Sequence, residues 1–324
     1  MSRTGVILLG FGGPDCMDAV GPFMCNLMGS KPSDELITRV SRRYLTIGGK
    51  SPLADIAQAM ASKLEAFLTE AGHEIPVRIG MRYWHPYIGA TIDELASLGC
   101  DRLITVSLSP FESRVAQGAY REAIAEAKER HPGIEIIETP LISTLDEYSE
   151  FFAMSAAAAL EQLDQSDSAI LVFTAHSLPK SDLSDDDPYV KGLATVAQAV
   201  ALRLGLEPGV PGAGKPILPN FQAFGSTLPP RAWYLVYQSR GQRPGAWLEP
   251  DIEALITQAA ESPVGAIIVI PIGFATDHME TLYDLDVVAA DQALLADIEF
   301  VRAAVPNDDD GLLRAVSASV AALL

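Results

Sequence analysis

The chain has 324 residues, of which 48 % are hydrophobic and 20 % are charged, which is typical of a globular protein and excludes disorder of the whole chain. Its formal net charge of −19 repels phosphate backbones, so a nucleic acid is a poor partner. The acidity is explained either by solubility or a salt-rich host, which we favour, or by attraction of metal cations. The three cysteines, Cys16, Cys25 and Cys100, are too few and too widely spaced for a disulfide framework or an iron–sulfur cluster. They indicate a reducing compartment, and we predict a cytoplasmic location.

The apolar run near the start has the length of a strand and stops at Gly12-Gly13-Pro14, so it does not predict a signal peptide. The longest other apolar stretch, Val264 to Ala275, is too short for a membrane helix. We therefore expect no transmembrane segment, and peripheral contact with a membrane stays open.

Short apolar runs alternate with helical patterns along the whole chain. Because strands covered on both faces are apolar throughout, this alternation predicts an α/β fold with parallel, doubly wound sheets. The predicted strands are Val6–Leu9, Val77–Met81, Leu103–Leu108, Ile134–Glu138, Ala169–Phe173, Tyr234–Tyr237, Ala266–Ile270 and Glu299–Ala303. The predicted helices are Asp34–Leu45, Pro52–Glu70, Ile88–Leu98, Gly118–Arg130, Leu145–Leu163, Tyr189–Leu204, Asp251–Ala260, Leu285–Ile298 and Gly311–Leu323, with Ser33 and Ser51 as caps of the first two.

Two halves with four strands each follow from this pattern, an N-terminal lobe over 1–144 and a C-terminal lobe over 145–324. The last helix is expected to pack back on the first lobe. The stretch Gly205–Pro230 is dense in Gly and Pro, which predicts a long irregular loop, either a surface insertion or a lid.

Ligands of open α/β sheets bind beyond the carboxyl ends of the strands, so functional residues are expected just after each strand. The loop Gly10–Asp15 is compatible with a tight turn or with close approach to a ligand, and it has no phosphate-loop spacing. The segment Met81–Pro86 follows a strand with aromatic and cationic side chains, which suit either a flat anionic ligand or the core.

His176 follows the buried strand Ala169–Phe173. A histidine at the carboxyl end of such a strand is either a structural residue or a ligand or proton acceptor. Asp277, Glu280 and Asp284 stand three and four residues apart, a spacing that predicts one face of a helix. Three like charges there are unfavourable without a cation or a proton, and the alternative is a solvated acidic face. Imidazole and carboxylates suit a divalent ion such as iron and also proton transfer.

Two other enzyme classes are disfavoured by the residues. The chain has no G-x-S-x-G elbow, which disfavours a Ser–His–Asp hydrolase. It has no dinucleotide fingerprint, which disfavours a nucleotide-binding reductase.

Seven motifs in order resemble the ferrochelatase family over almost the whole chain. They are LLGFGGP, YLTIGGKSPL, IGMRYWHP, FTAHSLP, the DPY at Asp187–Tyr189, YQSRGQRPGAWLEP and PIGFATDHMETLYDLD, and the Val305–Asn307 region is similar as well.

This resemblance implies insertion of ferrous iron into a porphyrin, protoporphyrin IX or coproporphyrin III, in haem synthesis. It implies two similar Rossmann-like lobes, with His176 and Glu280 facing each other across a cleft between them. His176, neutral near pH 7, would accept a pyrrole proton, and Glu280 with Asp284 behind it would bind iron or take protons. No organic cofactor and no iron–sulfur cluster are expected, and the oligomeric state stays open.

Further site residues follow from the resemblance. His176, Glu280 and Asp284 are the expected metal ligands, and Asp277 and His278 are expected to support them. The expected porphyrin contacts are Phe11, Arg43, Tyr44, Ser51, Tyr83, Trp84, Tyr120 and Trp247, with Arg43 placed to pair a propionate.

The chain departs from the family at several positions. Phe11 stands where some members carry a Tyr, Leu27 and Met28 where they carry arginines, and Val288 where the acidic series would continue. Alternatives that keep the fold are a non-catalytic haem or porphyrin carrier and a chelatase for another divalent metal.

Overall fold

The computed structural model describes residues 3–206, 232–241 and 243–324, so residues 207–230 of the predicted irregular loop lie outside it. The chain forms two compact units. The first unit contains Met1–Glu147, Ala275–Met279 and Pro306–Leu324, and the second contains Tyr148–Phe274 and Glu280–Val305. A single boundary does not describe this division, because two segments of the second half, Ala275–Met279 and Pro306–Leu324, belong to the first unit.

The sheet of the first unit has four parallel strands: β1 (Thr4–Gly10), β2 (Val77–Met81), β3 (Arg102–Ser107) and β4 (Glu135–Glu138). Their order is β2-β1-β3-β4. The first strand in sequence is therefore central, and its end, Gly10, lies beside Met81.

The sheet of the second unit repeats this order. Its strands are β5 (Ala169–His176), β6 (Trp233–Gln238), β7 (Ala266–Ile270) and β8 (Glu299–Arg302), arranged β6-β5-β7-β8 and all parallel. The prediction of two four-stranded parallel sheets flanked by helices is confirmed. Strand β5 runs three residues further than predicted, so His176 is its last residue rather than part of a loop.

Helices connect and flank the strands. They are α1 (Val20–Met28), α2 (Asp34–Thr46), α3 (Leu53–Glu70), α4 (Ile88–Ser97), α5 (Ala119–Lys128), α6 (Asp146–Leu160), α7 (Pro188–Arg203), α8 (Ile252–Ala260), α9 (Met279–Leu282), α10 (Ala290–Leu295) and α11 (Asp310–Ala321). Ser33 caps α2 as predicted, since its hydroxyl accepts a hydrogen bond from the Leu36 amide.

Three helix predictions were wrong in detail. Helix α1 was missed because its Gly and Pro weaken the helical pattern. The chain before α5 and before α10 is wound as π-helix, over Arg114–Gly118 and Asp284–Ala289, which periodicity at 3.6 residues per turn does not detect. Pro52 is the cap of α3 and not its first residue.

Each sheet is buried against helices on a packed apolar face. In the second unit this core joins β5, β6 and β7 to α8 and α10, and in the first it joins β1 and β3 to α4 and α5. The last helix, α11, packs against α3 within the first unit. The central strands are mainly apolar, with Thr105 and Thr174 as buried polar residues, and their titratable side chains lie only at the strand ends.

The glycines after β1 are explained by close packing. Gly12 has a φ of 96°, and a Cβ there would come within 2.9 Å of the Trp84 amide nitrogen. A Cβ on Gly13 would come within 2.5 Å of the Ser51 side chain. The structure therefore supports a tight turn at this loop, one of the two readings of its sequence.

Candidate active site

His176 is held at the end of β5 by contacts on its main chain and its ring. The Tyr189 hydroxyl, from the first turn of α7, donates a hydrogen bond of 2.8 Å to the His176 carbonyl. The ring Nδ1 is hydrogen-bonded to the Ser177 carbonyl, which can only accept. Nδ1 therefore carries a proton, and Nε2 is the ring atom left for chemistry.

Glu280 meets that atom directly. It lies in the first turn of α9, and its Oε1 is 3.2 Å from His176 Nε2. Both side chains are 31 % exposed, so the pair is reachable and only partly solvated. Both residues belong to the second unit, which agrees with their predicted place in the C-terminal lobe, and the cleft between lobes stays a prediction.

This contact changes the expected charge of His176. Desolvation lowers the pKa of the imidazole, but the neighbouring Glu280 carboxylate, the Ser177 hydrogen bond and the Asp284 charge outweigh it and raise the pKa above its usual value. The direction of this shift is toward holding a proton on the ring. The neutral state expected for His176 at or close to pH 7 stays a prediction.

The predicted acidic stripe of Asp277, Glu280 and Asp284 does not lie on one helix. Asp277 precedes α9 and belongs to the first unit, where it is paired with Asn307. The Asp277 amide donates to Asn307 Oδ1 at 2.7 Å, and Asn307 Nδ2 donates to Asp277 Oδ2 at 2.9 Å. This pairing accounts for the Asn near the C terminus. His278 follows Asp277 in the same short segment of the first unit.

Asp284 begins the π-helical turn that follows α9. The Ser239 hydroxyl, just after β6, donates to Asp284 Oδ2 at 2.5 Å. Within the described ranges no group of three or more His, Cys, Asp and Glu side chains is arranged to hold a metal ion. The arrangement offers instead an imidazole–carboxylate pair, His176 and Glu280, with a second carboxylate, Asp284, one turn further on.

The aromatic residues expected to contact the porphyrin divide into two sets. Phe11, Tyr83 and Trp84 are partly exposed and pack against the small core around Tyr44 in the first unit. The rings of Phe11 and Tyr83 are 4.7 Å apart, and the Arg82 guanidinium lies 5.0 Å above the Tyr83 ring. These partly exposed rings can cover an apolar, flat ligand. Arg43, half-buried, is in the last turn of α2 beside Tyr44.

The second set is buried and presents little surface. Tyr120 is 1 % exposed in the core of the first unit, where its hydroxyl is hydrogen-bonded to Ser109. Ser51 is buried under Gly13, and Trp247 is buried with its indole N–H on the Arg243 carbonyl. Tyr44, 5 % exposed, is likewise a core residue. Burial therefore argues against direct ligand contact at these four positions, because their side chains are used to fill the fold.

Comparison with known proteins identifies the family. The model of the family described as Ferrochelatase matches residues 3–323. The chain belongs to the ferrochelatase family. A Ferrochelatase of Herpetosiphon aurantiacus is 29 % identical over 95 % of both chains. A Coproporphyrin III ferrochelatase of Leifsonia xyli is 32 % identical over 95 % of this chain and 80 % of the relative.

A solved structure of SirB from Bacillus subtilis with Fe3+ shares the fold. It has a TM-score of 0.52 at 11 % identity and covers 98 % of this chain and 94 % of its own. As a ferrochelatase, the protein is a lyase that inserts iron into a porphyrin in haem synthesis. No helix in the described part of this ferrochelatase is long and apolar enough to cross a membrane.

Four residues at this site were missed from the sequence: Gln238, Ser239, Tyr189 and Asn307. Each acts through a hydrogen bond to a distant part of the chain. Two local signs were available: Gln238 and Ser239 follow a buried strand and Tyr189 follows the helix cap Asp187, and all four residues lie in segments that resemble the ferrochelatase family.

Proposed function

We propose that His176 and Glu280 are the catalytic pair for iron insertion in this ferrochelatase. The observation that carries the proposal is the 3.2 Å contact between His176 Nε2 and Glu280 Oε1 at the carboxyl end of the sheet of the second unit. A base and a metal-binding carboxylate are thereby combined at one point, and that point remains partly exposed.

The reaction replaces two pyrrole N–H protons with one ferrous ion. In the ligand-free enzyme desolvation lowers the pKa of His176, and the Glu280 carboxylate outweighs this effect and raises the pKa, which favours the protonated ring. A dication bound at Glu280 cancels that carboxylate charge and lowers the pKa of the imidazole again. Iron arrival at Glu280 would therefore favour loss of the Nε2 proton to solvent, after which Nε2 would accept one pyrrole proton, with Nδ1 still fixed on Ser177. The ring would pass that proton to solvent as well, and Nε2 would then accept the second pyrrole proton.

Asp284 would bind iron next to Glu280. The partly exposed aromatic residues of the first unit would hold the porphyrin. Phe11, Tyr83 and Trp84 support this role because they are the partly exposed members of the predicted set. Arg43 would pair with a propionate, since a guanidinium matches a carboxylate with two hydrogen bonds.

The remaining expectations are part of the same proposal. The enzyme works without an organic cofactor and without an iron–sulfur cluster, since Cys16 is exposed, Cys25 half-buried and Cys100 in the core, and a cluster uses four thiolates. Free cysteines in the described part of the chain support a cytoplasmic location, with peripheral membrane contact left open.

The test is an anaerobic insertion assay with Fe(II), Co(II) and Zn(II), each against protoporphyrin IX and coproporphyrin III. We expect iron insertion into one of the two porphyrins and a loss of about 100-fold or more in His176→Ala, with an unchanged circular dichroism spectrum. His73→Ala, at a half-buried histidine just after α3, is the matched control and should keep full turnover.

Three outcomes would contradict the proposal. Porphyrin binding without turnover for any metal would identify a carrier. Turnover with cobalt or zinc and none with iron would identify a chelatase for another metal. Normal iron turnover in a folded His176→Ala variant would exclude the proposed pair.

A further inference from the structure

Gln238 and Ser239, at the end of β6, connect the strand that neighbours His176 to both acidic residues of the site. Gln238 is the register partner of His176 on β5, and its carbonyl accepts a hydrogen bond of 2.8 Å from the Ser177 amide. The end of β6 is therefore fixed relative to the imidazole by the sheet itself.

The side chains of the same two residues reach the acidic turn. Gln238 is 1 % exposed, and its Nε2 donates to the Glu280 carbonyl at 2.7 Å. Ser239 Oγ donates to Asp284 Oδ2 at 2.5 Å. One dipeptide thus holds the main chain of one acidic residue and the carboxylate of the other.

The backbone at Ser239 supports a role for the hydroxyl. Its φ is 58°, in the left-handed region, where a residue with a Cβ is disfavoured and glycine is not. A position chosen for stability alone would suit glycine. A serine here provides the hydroxyl that donates a hydrogen bond to Asp284, although the left-handed backbone conformation is unfavourable for it.

The geometry points to Ser239 as a positioning residue that orients the Asp284 carboxylate for the incoming metal ion, with Gln238 fixing Glu280 beside it. This inference rests on the proposed function of the site and assigns it two further residues. Ser239 acts through Asp284, because its hydroxyl donates to that carboxylate, and so its loss should weaken capture of the metal more than the chemical step.

Ser239→Gly provides a sharp test because it removes the hydroxyl and relieves the left-handed strain at once. A purely structural serine predicts an equal or better enzyme. The positioning role predicts an unchanged or higher melting temperature, a rise of about 5- to 50-fold in the KM for Fe(II), and a KM for porphyrin within twofold of wild type. Asp297→Gly is the matched control, since Asp297 is exposed and has a φ of 57°.

A double-mutant cycle separates this inference from the proposed function. Binding of Co(II) to the ligand-free protein is measured by calorimetry for wild type, Ser239→Gly, Asp284→Ala and the double variant. If Ser239 acts through Asp284, each single variant weakens Co(II) binding, and Ser239→Gly adds no further loss once Asp284 is gone.

The outcomes are distinct. Absence of iron insertion by the wild type would overturn the proposed function, and the Co(II) cycle would still decide the role of Ser239. Additive losses in that cycle, or Co(II) affinity and iron KM in Ser239→Gly equal to wild type, would overturn the positioning role.

Discussion

At the scale of single residues, the site depends on how the Glu280 carboxylate sets the charge of His176. The two groups are in direct contact, and Nδ1 of the ring is already committed to Ser177. The second ring nitrogen, Nε2, contacts the carboxylate, and the charge of Glu280 raises the pKa of the ring. In the proposed mechanism both groups are needed, because metal capture by one is coupled to proton release by the other.

Glu280→Gln keeps the shape of the side chain and removes its charge. We expect turnover to fall about 100- to 10,000-fold. Because the carboxylate is what outweighs desolvation, the pKa of His176 should also fall, and an NMR titration of the ring would measure it. The melting temperature should change little, since the lost His176 pair is offset by relief of repulsion with Asp284.

The control for this variant is Glu261→Gln, at an exposed glutamate of the second unit, which should be silent in all three measurements. Wild-type turnover of Glu280→Gln at saturating iron would show that the catalytic carboxylate is elsewhere. An unchanged His176 pKa would show that the contact does not govern the ring.

At the scale of elements, local patterns predicted the strands and distant hydrogen bonds decided the site. Strand β5 could be predicted from the sequence, because a buried parallel strand is apolar on both faces, and His176 was expected just beyond its carboxyl end. The strand itself continues three residues further than predicted and includes His176. The prediction that Asp277, Glu280 and Asp284 share one helical face was wrong, because the helix begins only at Met279 and the spacing of the residues does not show this. The burial of Tyr120 was not foreseen, because an aromatic residue in a motif can equally fill the core, and its contact with the porphyrin stays a prediction.

Helix α11 provides a test of stability at this scale. Leu313 is 1 % exposed on the helix that packs against α3, so Leu313→Ala should lower the free energy of unfolding by about 2–5 kcal/mol. Urea denaturation followed by circular dichroism measures the change.

Arg314→Ala, on the exposed side of the same helix, is the matched control. It loses the contact of its guanidinium with the Phe67 ring at 4.0 Å and the ion pair with Glu70, and should cost about 1 kcal/mol or less. Equal effects of the two variants would show that α11 is not held by its apolar face.

At the scale of the whole molecule, the net charge of −19 makes stability sensitive to pH and salt. Asp93 is one measurable contributor. Its hydrogen bonds to Arg130 lower the pKa of the carboxyl against a small opposing effect of burial, and His131 lowers it further. A lowered pKa stabilises the folded protein above the unfolded pKa of about 3.9 and ceases to do so as the pH falls through the folded value.

Asp93→Asn should therefore be less stable than wild type at pH 7, and the difference should vanish as the pH falls below the folded pKa of Asp93. Because Asp93 is 45 % exposed, the effect should be about 0.2–1 kcal/mol and should shrink at high salt. Melting temperatures against pH measure it, with the exposed Asp291→Asn as control. A difference that persists at the lowest pH would show that the ion pair is not its origin.

The division of the chain into two units has a consequence for how a disturbance reaches the reacting atoms. Met279 belongs to the first unit and packs against the core around Tyr44, whereas Glu280, the next residue, belongs to the second and contacts His176. One peptide bond therefore separates a residue packed against the core around Tyr44 from the carboxylate that contacts His176. A change in the backbone at Met279 would change the position of the Glu280 carboxylate directly, because the two residues share that bond.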